Sequence, residues 1–185
     1  MNHTTSEHAQ QVLRNATSLY TPQQIDACVE KMAADLNSRF AAKTLILLCV
    51  MNGGAVLTGQ LLPKLDFMLE FDYIQATRYS GETSGGELVW KHHHELPLHG
   101  RDVLIVDDIL DVGQTLKEIR EACLNEDAKS VTTAVLVEKK HSRNCGIDAD
   151  FVGLEVPDSY VFGYGMDYRG FLRNAPGIFS TEDYS

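Results

Sequence analysis

The chain has 185 residues, 44 % hydrophobic and 23 % charged, and its 16 Lys and Arg against 26 Asp and Glu leave a formal net charge of −10. That length suits one domain with a real core, and the composition excludes a disordered, collagenous or coiled-coil chain. The acidic balance repels polyanions, which argues against nonspecific nucleic-acid binding. Leu45–Met51 is the longest uninterrupted apolar run, far short of the roughly 20 residues a helix needs to cross a bilayer, so no membrane helix is expected. Met1–His8 carries neither a basic region nor an apolar stretch, and no secretory signal is expected there. Cys28, Cys49, Cys123 and Cys145 form no CxxC pair, which suggests a reducing cytoplasm.

Taken in chain order, the first element is announced at Thr21-Pro22-Gln23-Gln24, where a threonine cap, a proline at the first helical position and a glutamine three residues after the cap predict a helix start. Ile25, Cys28, Val29, Met32 and Leu36 follow at helical spacing and form one apolar stripe. Thr44 to Val50 is apolar after its first residue, as in a strand covered on both faces. It ends at the turn Met51-Asn52-Gly53-Gly54, and Ala55 to Leu62 reads as a helix stopped by Pro63. Phe67, Leu69, Phe71 and Tyr73 alternate with Met68, Glu70 and Asp72, predicting a strand with unequal faces. The small polar run after Arg78, from Tyr79 to Gly86, reads as a loop able to close over a ligand. Glu87 to His93 is a candidate returning strand. In His92-His93-His94, neighbours on a strand point to opposite faces and cannot share one ion, so they read as surface residues.

Val103 to Val106 is another buried strand, followed by Asp107-Asp108 and then Asp111-Val112-Gly113-Gln114-Thr115. Leu116, Ile119 and Cys123 continue at helical spacing, and Val131 to Val137 reads as a further strand, with shorter extended pieces at Phe151 to Val156 and Tyr160 to Tyr164. This alternation predicts an α/β fold with a mainly parallel central sheet flanked by helices.

An acidic pair at the carboxyl end of a buried strand, next to a glycine-containing turn into a helix, sits where α/β proteins place their ligands. Successive backbone N–H groups of the turn and the Thr115 hydroxyl suit a phosphate monoester. Ionised Asp107 and Asp108 only accept hydrogen bonds, so their natural partners are sugar hydroxyls or a hard cation such as Mg²⁺. Together these features describe a site for a ribose 5-phosphate. A phosphoacceptor receiver domain also ends a strand in an acidic pair, but near its N-terminus, whereas here at least two strands come first.

The run Val103 to Leu116 resembles the phosphoribosyl pyrophosphate (PRPP) signature of the type I phosphoribosyltransferases, with the acidic pair, third aspartate, glycine and threonine in register. Asp150 to Asp158 and Tyr160 to Tyr168 resemble the members of that family that use 6-oxopurines, and with Lys139 and the turn at Met51 to Gly54 the likeness runs from about Leu45 to Arg173. The resemblance implies one domain over residues 1–185, with a core at about 40–150 and a small hood from about 1–39 and 151–185. It implies transfer of the phosphoribosyl group of PRPP to hypoxanthine and guanine, with xanthine a further candidate, by a homodimer or homotetramer using Mg²⁺. The alternative on the same fold is a PRPP or nucleotide sensor without catalysis.

The same resemblance assigns roles. Asp111, Val112, Gly113, Gln114 and Thr115 take the 5′-phosphate; Asp107 and Asp108 face the ribose hydroxyls and the metal. Asn52, Gly53, Gly54, Tyr79 and Arg173 take the pyrophosphate, with a non-proline cis peptide joining Met51 to Asn52. Lys139 donates to the 6-oxo oxygen, Tyr160 stacks on the ring, the Val161 backbone meets the pyrimidine edge, and Asp167 serves the purine site and a second Mg²⁺. Asp111 stands near purine N7 as general base, a role typically contributing about 10²–10⁴-fold. Adenine would set an amino group against the Lys139 ammonium, at a cost of about 1.5–3 kcal/mol, or tenfold and more. Val112 stands where the family often carries threonine or serine, and Gln114 and Asn52 where some members carry lysine, so the backbone must hold more of the phosphates.

Overall fold

The structure is a computed structural model, and it describes residues 5–78 and 88–182. The chain runs through helix α1 (Ser6–Asn15), strand β1 (Thr17–Tyr20), α2 (Pro22–Phe40), β2 (Thr44–Met51), α3 (Ala55–Leu61), β3 (Met68–Arg78), β4 (Leu88–His92) and β5 (Asp102–Leu110). It continues with α4 (Gln114–Asn125), β6 (Ser130–Lys139), β7 (Phe151–Val156), β8 (Tyr160–Phe162) and β9 (Ile178–Thr181). Among the described residues the main sheet has the order β4-β3-β2-β5-β6-β7, and a small sheet has the order β1-β9-β8. In the main sheet only β4 is antiparallel to its neighbour. The expected fold class, α/β with a mainly parallel sheet, is what the chain adopts, and the small sheet joins its N- and C-terminal segments.

Strand side chains alternate between faces, and this splits the apolar runs into two cores. Leu45, Leu47, Leu104, Val106, Ala134 and Leu136 meet α2 and α3 on one side. Ile46, Leu48, Val103, Ile105, Val131 and Val135 meet α4 on the other. Helix α2 starts as its sequence predicts: the Thr21 side chain accepts from the Gln24 N–H, and the Gln24 side chain accepts from the Thr21 N–H. Its stripe, Ile25, Val29, Met32 and Leu36, is buried.

Three local expectations are corrected, and three elements had no expectation. Strand β5 continues through the acidic pair to Leu110, because its pairing with β6 persists to Leu110↔Glu138. On β3, Leu69 joins the core but Phe71 and Tyr73 stay exposed; Tyr73 stacks on His92 at 4.1 Å instead. His94 is not a surface residue, since its side chain is 10 % exposed, its Nδ1 lies 2.9 Å from the Leu96 carbonyl, and its Nε2 faces Glu126. Helix α1 and strands β1 and β9 were not legible. Ala9 and Val12 of α1 bury against Phe162 and Tyr168, and Tyr20 donates from its hydroxyl to the Glu155 carbonyl at 2.6 Å.

Candidate active site

Three neighbouring strands, β2, β5 and β6, bring their carboxyl ends together, and the groups singled out by sequence cluster there. Beyond β2 the Met51–Asn52 peptide is cis, as the resemblance implied. Gly53 then passes so close to β5 that a Cβ on it would sit 1.8 Å from Asp108 Oδ2. Any side chain at Gly53 would push the Asp108 carboxyl out of its place, so glycine leaves the acidic pair where it stands. The Gly54 N–H donates to the Val50 carbonyl at 2.9 Å, so Gly54 contributes its missing side chain to the loop and not a free donor. Asn52 is exposed and its Oδ1 accepts from Gln75. Tyr79 and the loop to Gly86 lie outside the described residues.

On β5, Asp107 is 9 % exposed and its Oδ1 accepts from the Asp108 N–H at 2.8 Å. Burial, and then the charge of Asp108, push the Asp107 carboxyl well above the ordinary range. Burial also raises Asp108, opposed by its hydrogen bond with Asp107 and by the Arg173 guanidinium. Two adjoining carboxyls that resist ionisation for want of compensating charge are suited to a hard divalent cation or to sugar hydroxyls.

The turn that follows lines a cavity of about 440 Å³ with Asp111, Val112, Gly113, Gln114 and Thr115. Gly113 caps α4 in the left-handed region, φ 87°, with no side-chain capping bond and no acidic residue in the first turn. The helix N-terminus is therefore left to an outside acceptor, and an anion suits it. Val112 is exposed, so the hydroxyl often found there in the family is replaced by a side chain that cannot bond.

A second cavity, about 220 Å³, shares Asp108 and Asp111 with the first and adds Lys139, Tyr160, Val161 and Asp167. Here Lys139 Nζ lies 2.8 Å from Asp111 Oδ2, its side chain 13 % exposed. Burial acts to raise the Asp111 carboxyl, but hydrogen bonds from Lys139 and His141 outweigh it and hold the group below its usual range. Tyr160 packs edge-on to Tyr168 at 5.5 Å, and Val161 is buried opposite Ser180 of β9. Arg173 spans the rim: its Nη1 donates to the Gly165 carbonyl at 2.6 Å and its Nη2 pairs with Asp167 Oδ1 at 2.6 Å. Asp167 also accepts from the Gly170 N–H. A metal on Asp167 would have to share it with Arg173, so the acidic pair on β5 fits an ion better.

Sequence reasoning missed His141 and Arg143, which follow Lys139 on the segment leaving β6. His141 Nε2 lies 2.7 Å from Asp111 Oδ1, and Arg143 pairs with Asp158. Asp111, His141 and Asp158 bring ligand-type atoms within 4.8 Å of one another. Lys139 and Arg143 already neutralise those acids, so the trio does not fit a further ion. The available signal was the polar run Lys139-Lys140-His141-Ser142-Arg143 directly after a buried strand.

A crevice beyond adjacent parallel strands, with an open helix N-terminus beside an acidic pair, has the chemistry that suits a phosphoribosyl group on a sheet covered on both faces. Residues 15–169 match the family model described as phosphoribosyl transferase domain, and the chain belongs to that family. It is 34 % identical over 170 residues to the hypoxanthine-guanine phosphoribosyltransferase of Streptococcus agalactiae, covering 90 % of this chain and 94 % of the relative. It is 33 % identical over 170 residues to the enzyme of the same name from Staphylococcus aureus, covering 90 % and 95 %. The crystal structure of a hypoxanthine phosphoribosyltransferase from Staphylococcus aureus superposes with a TM-score of 0.86 at 32 % identity, covering 92 % of this chain and 95 % of that one.

Proposed function

We propose that the chain transfers the 5-phosphoribosyl group of PRPP to the 6-oxopurines hypoxanthine and guanine, releasing IMP or GMP and pyrophosphate: it is a purine-salvage phosphoribosyltransferase of the hypoxanthine-guanine type. The names of its relatives support this, and one observation carries it to the site. The Lys139–Asp111 pair, 2.8 Å apart, lines a cavity that continues into the phosphate cup. A 6-oxopurine protonated on N7 presents an acceptor, O6, beside a donor, N7–H. A cationic donor beside an anionic acceptor complements that edge, and the base enters by replacing the internal ion pair with two charge-assisted hydrogen bonds. Adenine carries a donor amino group, not an acceptor, at position 6, where Lys139 would donate.

The turn at Asp111 to Thr115 holds the 5′-phosphate through backbone N–H groups and the Thr115 hydroxyl. Asn52, Gly53 and Arg173 face the diphosphate, with Gly54 and Tyr79 in the same assignment. Purine N9 attacks the anomeric carbon as its bond to the pyrophosphate oxygen breaks, the leaving group keeps that electron pair, and Asp111 accepts the N7 proton. Tyr160 and Val161 hold the ring. Asp107 and Asp108 would hold the ribose hydroxyls and Mg²⁺, and a second ion at Asp167 would have to share that carboxylate with Arg173; when bound, Mg²⁺ supplies positive charge against the diphosphate.

The division into a core at about 40–150 and a hood at 1–39 and 151–185 belongs to the same reading, supported by the small sheet that joins the two ends of the chain. Assembly as a homodimer or homotetramer is supported by the exposed Phe71 and Tyr73 on β3. A cytoplasmic location is supported by four free cysteines; no helix among the described residues is long and apolar enough to cross a membrane. Incubation with PRPP, Mg²⁺ and each of hypoxanthine, guanine, xanthine and adenine, with nucleotide measured by chromatography, tests the reading. IMP and GMP formation is expected. PRPP binding without any nucleotide product would overturn it in favour of a sensor.

A further inference from the structure

His141 lies two residues past Lys139, and its side chain is 5 % exposed. Its Nδ1 lies 3.0 Å from the Arg143 backbone N–H, which donates to it. A peptide N–H can only donate, so Nδ1 must carry a lone pair, and the ring proton sits on Nε2, 2.7 Å from Asp111 Oδ1. A doubly protonated ring would set N–H against N–H at Nδ1. The hydrogen-bond network thus assigns a neutral imidazole with its donor aimed at Asp111.

The same segment supports the phosphate turn at the next two residues. The Cys145 N–H donates to the Val112 carbonyl at 2.9 Å, and the Ile147 side chain stands 2.6 Å from where a Gly113 Cβ would be. The segment is braced internally: Asn144 Oδ1 accepts from the N–H groups of Gly146 and Ile147, and its Nδ2 donates to the Ile147 carbonyl. The Lys140 N–H ties it to β7 through the Val156 carbonyl. The charged groups facing Asp111 are Lys139 from β6 and Arg143, 4.0 Å away and itself paired with Asp158, from this segment.

We propose that His141 is a positioning residue for phosphoribosyl transfer: its Nε2–H grips Asp111 Oδ1, so that Oδ2 stays aimed into the purine cavity when Lys139 leaves it for the purine. The inference rests on the reading of Asp111 as acceptor of the purine proton. Lys139 serves two partners in turn and cannot orient Asp111 throughout the cycle, whereas His141, anchored by a backbone amide, can. A neutral donor also orients the carboxylate without adding the full positive charge that would oppose proton uptake. With Nδ1 occupied, the ring has no path to pass a proton onward, so it positions Asp111 and does not relay.

Two variants test this. His141→Phe keeps the ring volume and removes the donor; His141→Gln places an amide N–H where Nε2 stood. His141→Phe is expected to lose about 10- to 100-fold in kcat with KM for PRPP within about twofold of the parent, and His141→Gln to recover most of that loss. Unchanged kcat in His141→Phe, a loss that appears equally in the KM for PRPP, or a Gln variant no better than Phe overturns the proposal. Nitrogen NMR of the unsubstituted protein gives a second readout independent of folding of the variants: a protonated Nε2 with a bare Nδ1 is expected, and the opposite tautomer or a cationic ring overturns it. Failure of the underlying readings is distinguishable: no nucleotide product from the unsubstituted protein sinks the transferase reading, and an active Asp111→Asn sinks Asp111 as proton acceptor; if Asp111→Asn is inactive and His141→Phe fully active, the present inference alone falls.

Discussion

Replacing Lys139 by methionine removes the ammonium while keeping an unbranched side chain of similar reach. In the free protein Lys139 is 13 % exposed and its Nζ is bonded to Asp111 Oδ2. With base bound, its proposed partner is the 6-oxo oxygen, so the variant leaves that oxygen facing a thioether in a partly buried cavity. A hydrogen bond to a charged group contributes about 1.5–3 kcal/mol, which corresponds to about 10- to 150-fold. Adenine never makes that bond, so its low efficiency should change little. The expected result is that kcat/KM for hypoxanthine falls by that factor while the value for adenine stays within about threefold, so that the ratio between bases collapses. Initial rates at saturating PRPP and Mg²⁺ with both bases measure it, with the melting temperature showing that both proteins are folded. Equal losses for the two bases would refute the assignment of Lys139 to selectivity, because the residue would then be serving a step common to both.

Asp111→Asn should lower turnover by about 10²–10⁴-fold while calorimetric titration still detects PRPP, since the phosphate is held by backbone groups; retained turnover removes Asp111 as the base. Gly53→Ala places a methyl 1.8 Å from Asp108 Oδ2, so PRPP affinity in the presence of Mg²⁺ should drop by about tenfold or more, and an unchanged titration would show that the acidic pair does not face the ribose. Asp102 is 8 % exposed; a hydrogen bond from Ser130, then the charges of Lys43 and Lys129, outweigh burial and hold its pKa below 3.8. A depressed carboxyl stabilises above its unfolded pKa and loses that contribution as pH falls through the folded value. Asp102→Ala should therefore cost about 1–2 kcal/mol in urea unfolding at pH 7, and the gap to the parent should narrow below about pH 4; a gap independent of pH would assign the loss to packing.

Wherever one segment carried its own physical signal, the sequence was readable. The capping box of α2, the buried runs of β2, β5 and β6, and the stripe Leu116, Ile119, Cys123 of α4 all lie where their patterns put them. The turn from Asp111 to Thr115 into α4 was legible because its glycine and polar residues are local to five positions. Features that depend on distant partners were not. Helix α1 offers only Ala9 and Val12 to a core whose other half, Phe162 and Tyr168, comes from the far end of the chain. The alternation on β3 suggested unequal faces, yet Phe67 and Leu69 reach the core while Phe71 and Tyr73 do not, and Asp72 accepts from the backbone N–H groups of Tyr73, Glu95 and Leu96. His141 meets a carboxylate 30 residues away across two strands, and no spacing rule reports such a contact.

The cations of the site explain how a chain with a net charge of −10 can receive a polyphosphate. Lys139, Arg143 and Arg173 each stand against an acid, Asp111, Asp158 and Asp167 respectively. The crevice thus keeps its positive charge internally compensated, and long-range attraction contributes little to recruiting the ligand. Asp107 and Asp108 are the exception, buried side by side with their pKa values raised. In the proposed reaction, ligand entry would exchange internal pairs for external ones: Lys139 would pass from Asp111 to the purine oxygen, and Asp111 from Lys139 to the purine proton. Exchange of partners costs less than baring a buried charge, since neither member is left unpaired at the end. On the proposed roles it would also tie recognition to chemistry, because only a base able to engage both members of the Lys139–Asp111 pair would free Asp111 to take a proton while His141 kept it in place.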